Sequence, residues 1–280
     1  MKLLLLCPLL SLLSACGHSN KIQVPEVKHN VVKVKKTDSI LIKQKEYRDA
    51  EIKDSLQLKL MLKDVLAIAK KYHRDKIYYQ KSIDWPYELS SATGSIRFGH
   101  LFSSFQKHLI VTRTLGMLTH VDVLLLKGPD FYSVASWFID DMCYLDYTIK
   151  DVDGDHKKDF LVHWYPSSGC CRRNVYDVYL SRKERFTSKY EFVNPTFFPV
   201  TKIIRGVDYG HPGEVALYKY KWNGLRVDTV EYIYPADTLK QKYYLIHNRN
   251  ERDEPGKMKL LTGVPKEYKK IESFDWFMDY

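Results

Sequence analysis

The chain has 280 residues, with 44 Lys and Arg against 34 Asp and Glu, a formal charge of +10. That length makes one large or two small domains, and 21 Tyr, 12 Phe and 5 Trp supply core material of the kind strands favour. The cationic surplus is scattered rather than gathered in a patch, which argues against nucleic acid and reads chiefly as solvated surface, open to anionic lipid, glycan or an acidic protein.

The first element is a targeting segment. Lys2 precedes an apolar run from Leu3 to Leu13, followed by the small residues Ser14 and Ala15 and by Cys16. A charged start, a short apolar stretch and small residues at the cut describe a secretory signal. The run is too short for a membrane span, which needs ~20 residues. Leu13-Ser14-Ala15-Cys16 resembles the lipobox of bacterial lipoproteins. The resemblance implies cleavage before Cys16, a lipid on its thiol and acylation of the new amine. Several acyl chains anchor firmly, at ~0.8 kcal/mol per buried CH₂, without a transmembrane helix. Gly17 follows, and the next acidic residue is Glu26, unlike the acidic signals of surface-exported lipoproteins. The expected location is the cell envelope, at the outer membrane and facing the periplasm.

Residues 1–15 thus read as a signal peptide, 16–42 as a lipidated, Lys-rich tether, and 43–280 as one β-rich domain with an N-terminal helix. From about Lys43 to Tyr72, Ile52, Leu56, Leu58, Leu60, Leu62, Val65, Leu66 and Ile68 recur at roughly helical spacing, which predicts one amphipathic helix packed on a sheet. From Ser95 the texture turns to β. Ser95–Leu101, His108–Thr114, His120–Leu126, Phe131–Phe138 and Tyr144–Ile149 are short apolar runs with polar or Gly breaks, and Phe160–Tyr165 and Val175–Leu180 continue them. Glu214–Trp222 and Leu225–Tyr234 flank Asn223-Gly224, a dipeptide suited to the positive φ of a tight hairpin. Lys257–Leu261 is a further strand candidate, and the chain ends in an aromatic cluster. The expected fold is mainly β, an antiparallel sheet or sandwich of meander type, and not a full propeller.

Asp151-Val-Asp153-Gly-Asp155-His-Lys-Lys-Asp159 carries the clearest chemistry. Carboxylates at the first, third, fifth and ninth positions of a loop can surround one hard cation, and Lys157 can add its backbone carbonyl. Calcium takes 6–8 oxygens in flexible geometry, whereas magnesium asks for a stricter octahedron. Ca²⁺ is therefore the expected cofactor, in a structural role. Val162 stands where a helix–loop–helix calcium hand would place its closing Glu, and the residues after Asp159 read as a strand. The loop resembles the Asp-x-Asp-Gly-Asp-x-x-x-Asp loops of FG-GAP and VCBS-type repeats, which join two strands. Those carry Gly at the sixth position; here it is His156. Their propellers repeat the loop, and this chain has it once.

Over residues 143–235 the chain also resembles small calcium-binding envelope proteins related to periplasmic lysozyme inhibitors. The shared pattern is Asp151–Asp159, Phe160–Tyr165, Ser167–Cys171, Tyr176–Leu180 and Tyr218–Gly224. It implies a binding or inhibitory role. Ser168 and Gly169 match the start of the Ser-Gly-x-x-Tyr loop that such inhibitors insert into their target, but Arg172 replaces the Tyr. With Arg173 these residues form the expected partner loop, the two guanidinium groups being suited to a carboxylate or to the acidic loop itself. Cys143 is expected to pair with Cys170 or Cys171, an oxidising envelope permitting the bond. A Cys170–Cys171 bond and metal binding by that pair are the other arrangements open to an odd thiol count.

Ser168, His163 and Asp155 contain the residue types of a hydrolase triad, but no Gly-x-Ser-x-Gly elbow accompanies them. His100, His108, His120, His163 and His211 lack the close spacing of a zinc site. The functional expectation is a non-catalytic, calcium-stabilised binding module, of inhibitor or immunity type, that meets an envelope protein or glycan while lipid holds it to the membrane. An envelope hydrolase with structural calcium and a purely structural envelope component are the alternatives.

Overall fold

The computed structural model describes residues 36–72, 79–85, 92–139, 142–166, 174–236 and 241–278. The chain divides into two units, residues 1–47 and 48–280. Of the first, the described part is 36–47, the opening turns of helix α1 (Lys36–Tyr72), where Ile42 and Tyr47 are exposed. The helix thus begins ahead of the expected Lys43, inside the stretch read as tether. Its sequence contains no Gly or Pro and is rich in Leu and Lys, both good helix formers. Lys70 and Lys71 lie in the last turn, where positive charge complements the exposed carbonyls. No helix among the described residues is long and apolar enough to cross a membrane.

The larger unit is built from three antiparallel sheets. The first is a meander of β1 (Tyr79–Trp85), β2 (Ala92–Gly99), β3 (His108–Leu115), β4 (Leu118–Lys127) and β5 (Asp130–Ile139). The second holds β6 (Met142–Lys150), β7 (Asp159–Pro166), β8 (Val175–Tyr179) and β11 (Tyr190–Val193), in the order β11-β8-β7-β6. A small hairpin, β9 (Ser181–Arg182) and β10 (Arg185–Phe186), intervenes between β8 and β11. The third is a six-stranded meander of β12 (Pro195–Phe198), β13 (Ile203–Val207), β14 (Leu217–Asn223), β15 (Arg226–Pro235), β16 (Tyr243–Ile246) and β17 (Lys259–Leu261). The short helix α2 (Phe274–Met278) follows. The protein is therefore mainly β, antiparallel throughout, with one long helix near its N-terminus and no propeller.

Side-chain parity stacks these sheets. Leu58, Met61, Val65 and Ala69 of α1, at steps of three and four, are buried on one face of the first sheet, the first two against Ala92 and Leu115 and the last two against Ile96, Phe98, Leu109 and Val111. The opposite face offers Ile110, Val121, Val123 and Trp137 to Phe160, Val162 and Trp164 of the second sheet. Alternate residues of that sheet, Leu161, Val178 and Phe192, turn to Ile204, Tyr218, Trp222 and Tyr232 of the third. The far face of the third sheet packs Val207, Leu217 and Ile233 under Tyr268, Ile271 and Phe277 of the C-terminal segment. Strand β7 is thus covered on both faces, which explains its nearly unbroken apolar run. Trp137 Nε1 donates to the buried carboxylate of Asp177 at 2.6 Å, tying the first sheet to the second.

The β14–β15 hairpin forms where expected, one residue out of register. Asn223 and Arg226 pair as the last strand residues, so the turn is Gly224–Leu225. Gly224 has φ +61, and Asn223 stays in the strand, its side chain donating to Asp228 at 2.8 Å. A two-residue turn with Gly first matches the right-handed twist of its strands.

Candidate metal site

The acidic loop is the connection between β6 and β7, since Lys150 and Asp159 are paired across the ladder. The strand–loop–strand setting expected of residues 151–159 is therefore present. Val152 is fully buried in the core between the second and third sheets and pins the loop down. Gly154 has φ +74, and a Cβ there would meet the Pro199 carbonyl oxygen at 2.2 Å. Only glycine suits both the left-handed backbone and that close approach. His156 also lies in the left-handed region, at φ +64, where a non-glycine residue is strained by about 1 kcal/mol.

Backbone N–H groups orient the carboxylates. Asp151 accepts from Gly154 at 2.7 Å and from His156 at 3.0 Å. Asp153 accepts from the Asp155 N–H at 3.2 Å. Asp159, with no exposed surface, accepts from Val152 at 3.0 Å and Ser181 at 2.9 Å. Carboxylate oxygens of Asp151, Asp153 and Asp159 come within 4.8 Å of one another. Each carboxylate has about four acceptor positions, so these hydrogen bonds leave lone pairs for a cation. Asp155 behaves differently. It takes the Lys157 N–H at 2.9 Å, the Lys157 ammonium at 3.0 Å and Arg182 Nη1 at 3.1 Å. Three of the four expected carboxylates thus converge, Asp153 among them while also bound by Arg182, and the fourth is tied to two cations.

Arg182, on β9, was not legible as part of this site. Its guanidinium bridges Asp153 and Asp155. The residue lies 23 positions after Asp159 in sequence, and only the β7–β8 pairing brings it back. Partial burial works against its charge, but the hydrogen bond and field of Asp153, with Asp155 and Asp159, outweigh that and raise its pKa. Burial also works against ionised Asp155, yet the Lys157 hydrogen bonds and the Arg182 charge leave its pKa lowered. Burial dominates at Asp159 and pushes its carboxyl up to about 7, with Asp153 and Asp155 adding repulsion against the pull of its two N–H donors. Arg182 and Lys157 offset part of the loop's negative charge, Arg182 through Asp153 and Asp155 and Lys157 through Asp155.

The other expected site residues are less gathered. Cys143 on β6 is exposed and its thiol free, while its expected partners Cys170 and Cys171 lie outside the described residues, as do Cys16, Ser168, Gly169, Arg172 and Arg173. His163 stacks flat on Tyr176 at 4.3 Å, meets Asn174 Oδ1 at 3.0 Å through Nε2, and faces Asp146 at 3.6 Å through Nδ1. Its ring nitrogens therefore address groups other than Asp155.

These features define a class: an antiparallel protein of stacked meanders with an Asp-rich loop between two central strands. No protein-family model, curated protein or solved structure shows a significant match to the chain.

Proposed function

We propose that this chain is a bacterial envelope lipoprotein, lipidated at Cys16, whose β-rich body is a non-catalytic binding module stabilised by Ca²⁺. One observation carries the metal reading. Carboxylate oxygens of Asp151, Asp153 and Asp159 converge within 4.8 Å on a loop whose backbone N–H groups orient them. Asp151, Asp153 and Asp159 would hold the ion, with the Lys157 carbonyl as a further donor. The ion would neutralise a buried acidic loop and fix the β6–β7 connection. The signal-like start and the lipobox-like Leu13–Cys16 support the envelope setting.

The test is a thermal and denaturant melt of residues 17–280 in calcium, in magnesium and in chelator. An ion that binds only the folded state should add RT ln(1 + [L]/Kd), ~2.7 kcal/mol at a hundred times Kd. Asp153→Asn should lose that calcium-specific gain, whatever it does to baseline stability by loosening Arg182. Equal melts in calcium and chelator would sink the metal reading.

A further inference from the structure

Beside the acidic loop lies an open cleft of about 550 Å³. Three segments enclose it: the stretch around Phe102–Gln106 between β2 and β3, His156 and Lys157 of the acidic loop, and the β9–β10 hairpin. Its floor is firm. Phe102 is buried and packs edge-on against Phe186 at 4.9 Å and Phe160 at 6.3 Å. Its rim is unusual, because Phe105 there is 92% exposed. The Phe105 backbone N–H donates to Ser103 Oγ at 3.1 Å, which holds the ring out on a short turn. Nothing else in the described chain covers it.

The cleft is lined by two lysines and one carboxylate, and Lys157 is tied to Asp155 at 3.0 Å. Its one carboxylate, Glu184, is already bound by Lys127 at 2.5 Å and by Gln106 Nε2 at 3.3 Å. Lys183 has no ion-pair partner among the described residues and sits in the left-handed region at φ +52. His156, the other strained residue of the cleft, faces it from the acidic loop. Strained backbone of this kind gathers at binding sites, where the surrounding structure holds a side chain in place for a ligand.

An enclosed apolar pocket would suit a compact cofactor, but this cleft is open and carries the hydroxyls of Ser103 and Ser104 in its wall. An added peptide strand needs an unpaired edge to template it, and β9 and β10 are only two residues each. We infer that the cleft binds a sugar chain carrying carboxylates. Phe105 offers its flat face to the C–H face of a pyranose ring, Lys183 and His156 take the carboxylate, and the serines meet ring hydroxyls. The inference rests on reading the chain as a binding module and names the ligand class and the residues.

The experiment is calorimetric titration of the full chain, in calcium, with three probes: a hyaluronan tetrasaccharide, neutral chitotetraose and a tetra-glutamate peptide. The acidic tetrasaccharide should bind saturably, and more weakly as salt rises. Phe105→Ala and Lys183→Ser should each weaken it at least tenfold without moving the melting temperature. Equal binding of chitotetraose, equal binding of the glutamate peptide, unchanged affinity in both variants, or no saturable heat from the acidic sugar would each overturn the inference. The calcium-dependent melt is read separately on the same samples. A calcium shift without sugar binding rejects the cleft alone, and sugar binding without a calcium shift rejects the metal alone.

Discussion

His108 begins β3 with only 4% of its surface exposed, edge-on to Phe102 at 5.1 Å. Burial disfavours the imidazolium and lowers its pKa from 6.5 to about 4; a backbone hydrogen bond to Gln106 opposes this and the nearby His100 reinforces it. As pH falls, the unfolded chain takes up this proton near 6.5 while the folded chain refuses it until about 4. Stability is therefore intact above pH 6.5 and drains between 6.5 and 4, by on the order of 3 kcal/mol at most from this group. Denaturant titrations at pH 7 and pH 4.5 should show a smaller loss for His108→Gln than for the native chain. Equal losses would mean that carboxylates alone set the acid sensitivity. The strained His156 is a second case at this scale, and it shows how a single position carries information. The loops that this one resembles carry Gly at position six, and the backbone there is left-handed despite the imidazole.

At the scale of elements, the contact between α1 and the first sheet contains a buried ion pair. Arg113 on β3 donates to Asp122 on β4 and to the Leu58 carbonyl of the helix, and Ser136 donates to Asp122 at 2.7 Å. Removing one partner leaves an uncompensated buried charge, which costs ~3–5 kcal/mol, whereas apolar replacement of both is often neutral. Asp122→Leu should destabilise by about 3 kcal/mol in urea titrations, and Arg113→Met with Asp122→Leu should recover most of the loss. A double variant as unstable as the single would show that the hydrogen bond to Leu58, not the pairing, holds the helix. The pair was illegible for a physical reason. Asp122 stands between Val121 and Val123 and Arg113 between two threonines, as charges would on a solvated strand face, and only the helix laid over that face buries them. By contrast β3 to β8 were readable because apolar alternation and clean breaks are local signals. The stretch from Tyr190 to Val207 was not, because Asn194, Pro195 and Pro199 punctuate two strands of four residues into what looks like a loop. Pro195 is tolerated because it opens β12, an edge strand. The acidic loop was legible in its spacing, since Asp side chains bonding nearby N–H groups are local too. Arg182 and the cleft beside it were not, because both depend on pairings distant in sequence.

For the larger unit as a whole, the stack makes a claim about cooperativity. The second sheet gives one face to the first sheet and the other to the third, so its loss would strip apolar cover from both. The first sheet has α1 on its far side and the third has the C-terminal segment, neither of which replaces the cover from the middle. Layers that share a face cannot open singly without exposing two clusters, and units of opening follow such shared burial. Amides of β3, β7 and β14 should therefore converge on one opening free energy in native-state hydrogen exchange as denaturant rises. β1 and β17, at the edges of their sheets, should open at lower cost. If β14 opened well before β7, the third sheet would be an independent folding unit docked on the other two. Calcium adds a discriminating arm, because the acidic loop is rooted through Val152 in the cluster between the second and third sheets. An ion there should raise β7 and β14 together, and a rise confined to the loop would show that the site does not brace the stack.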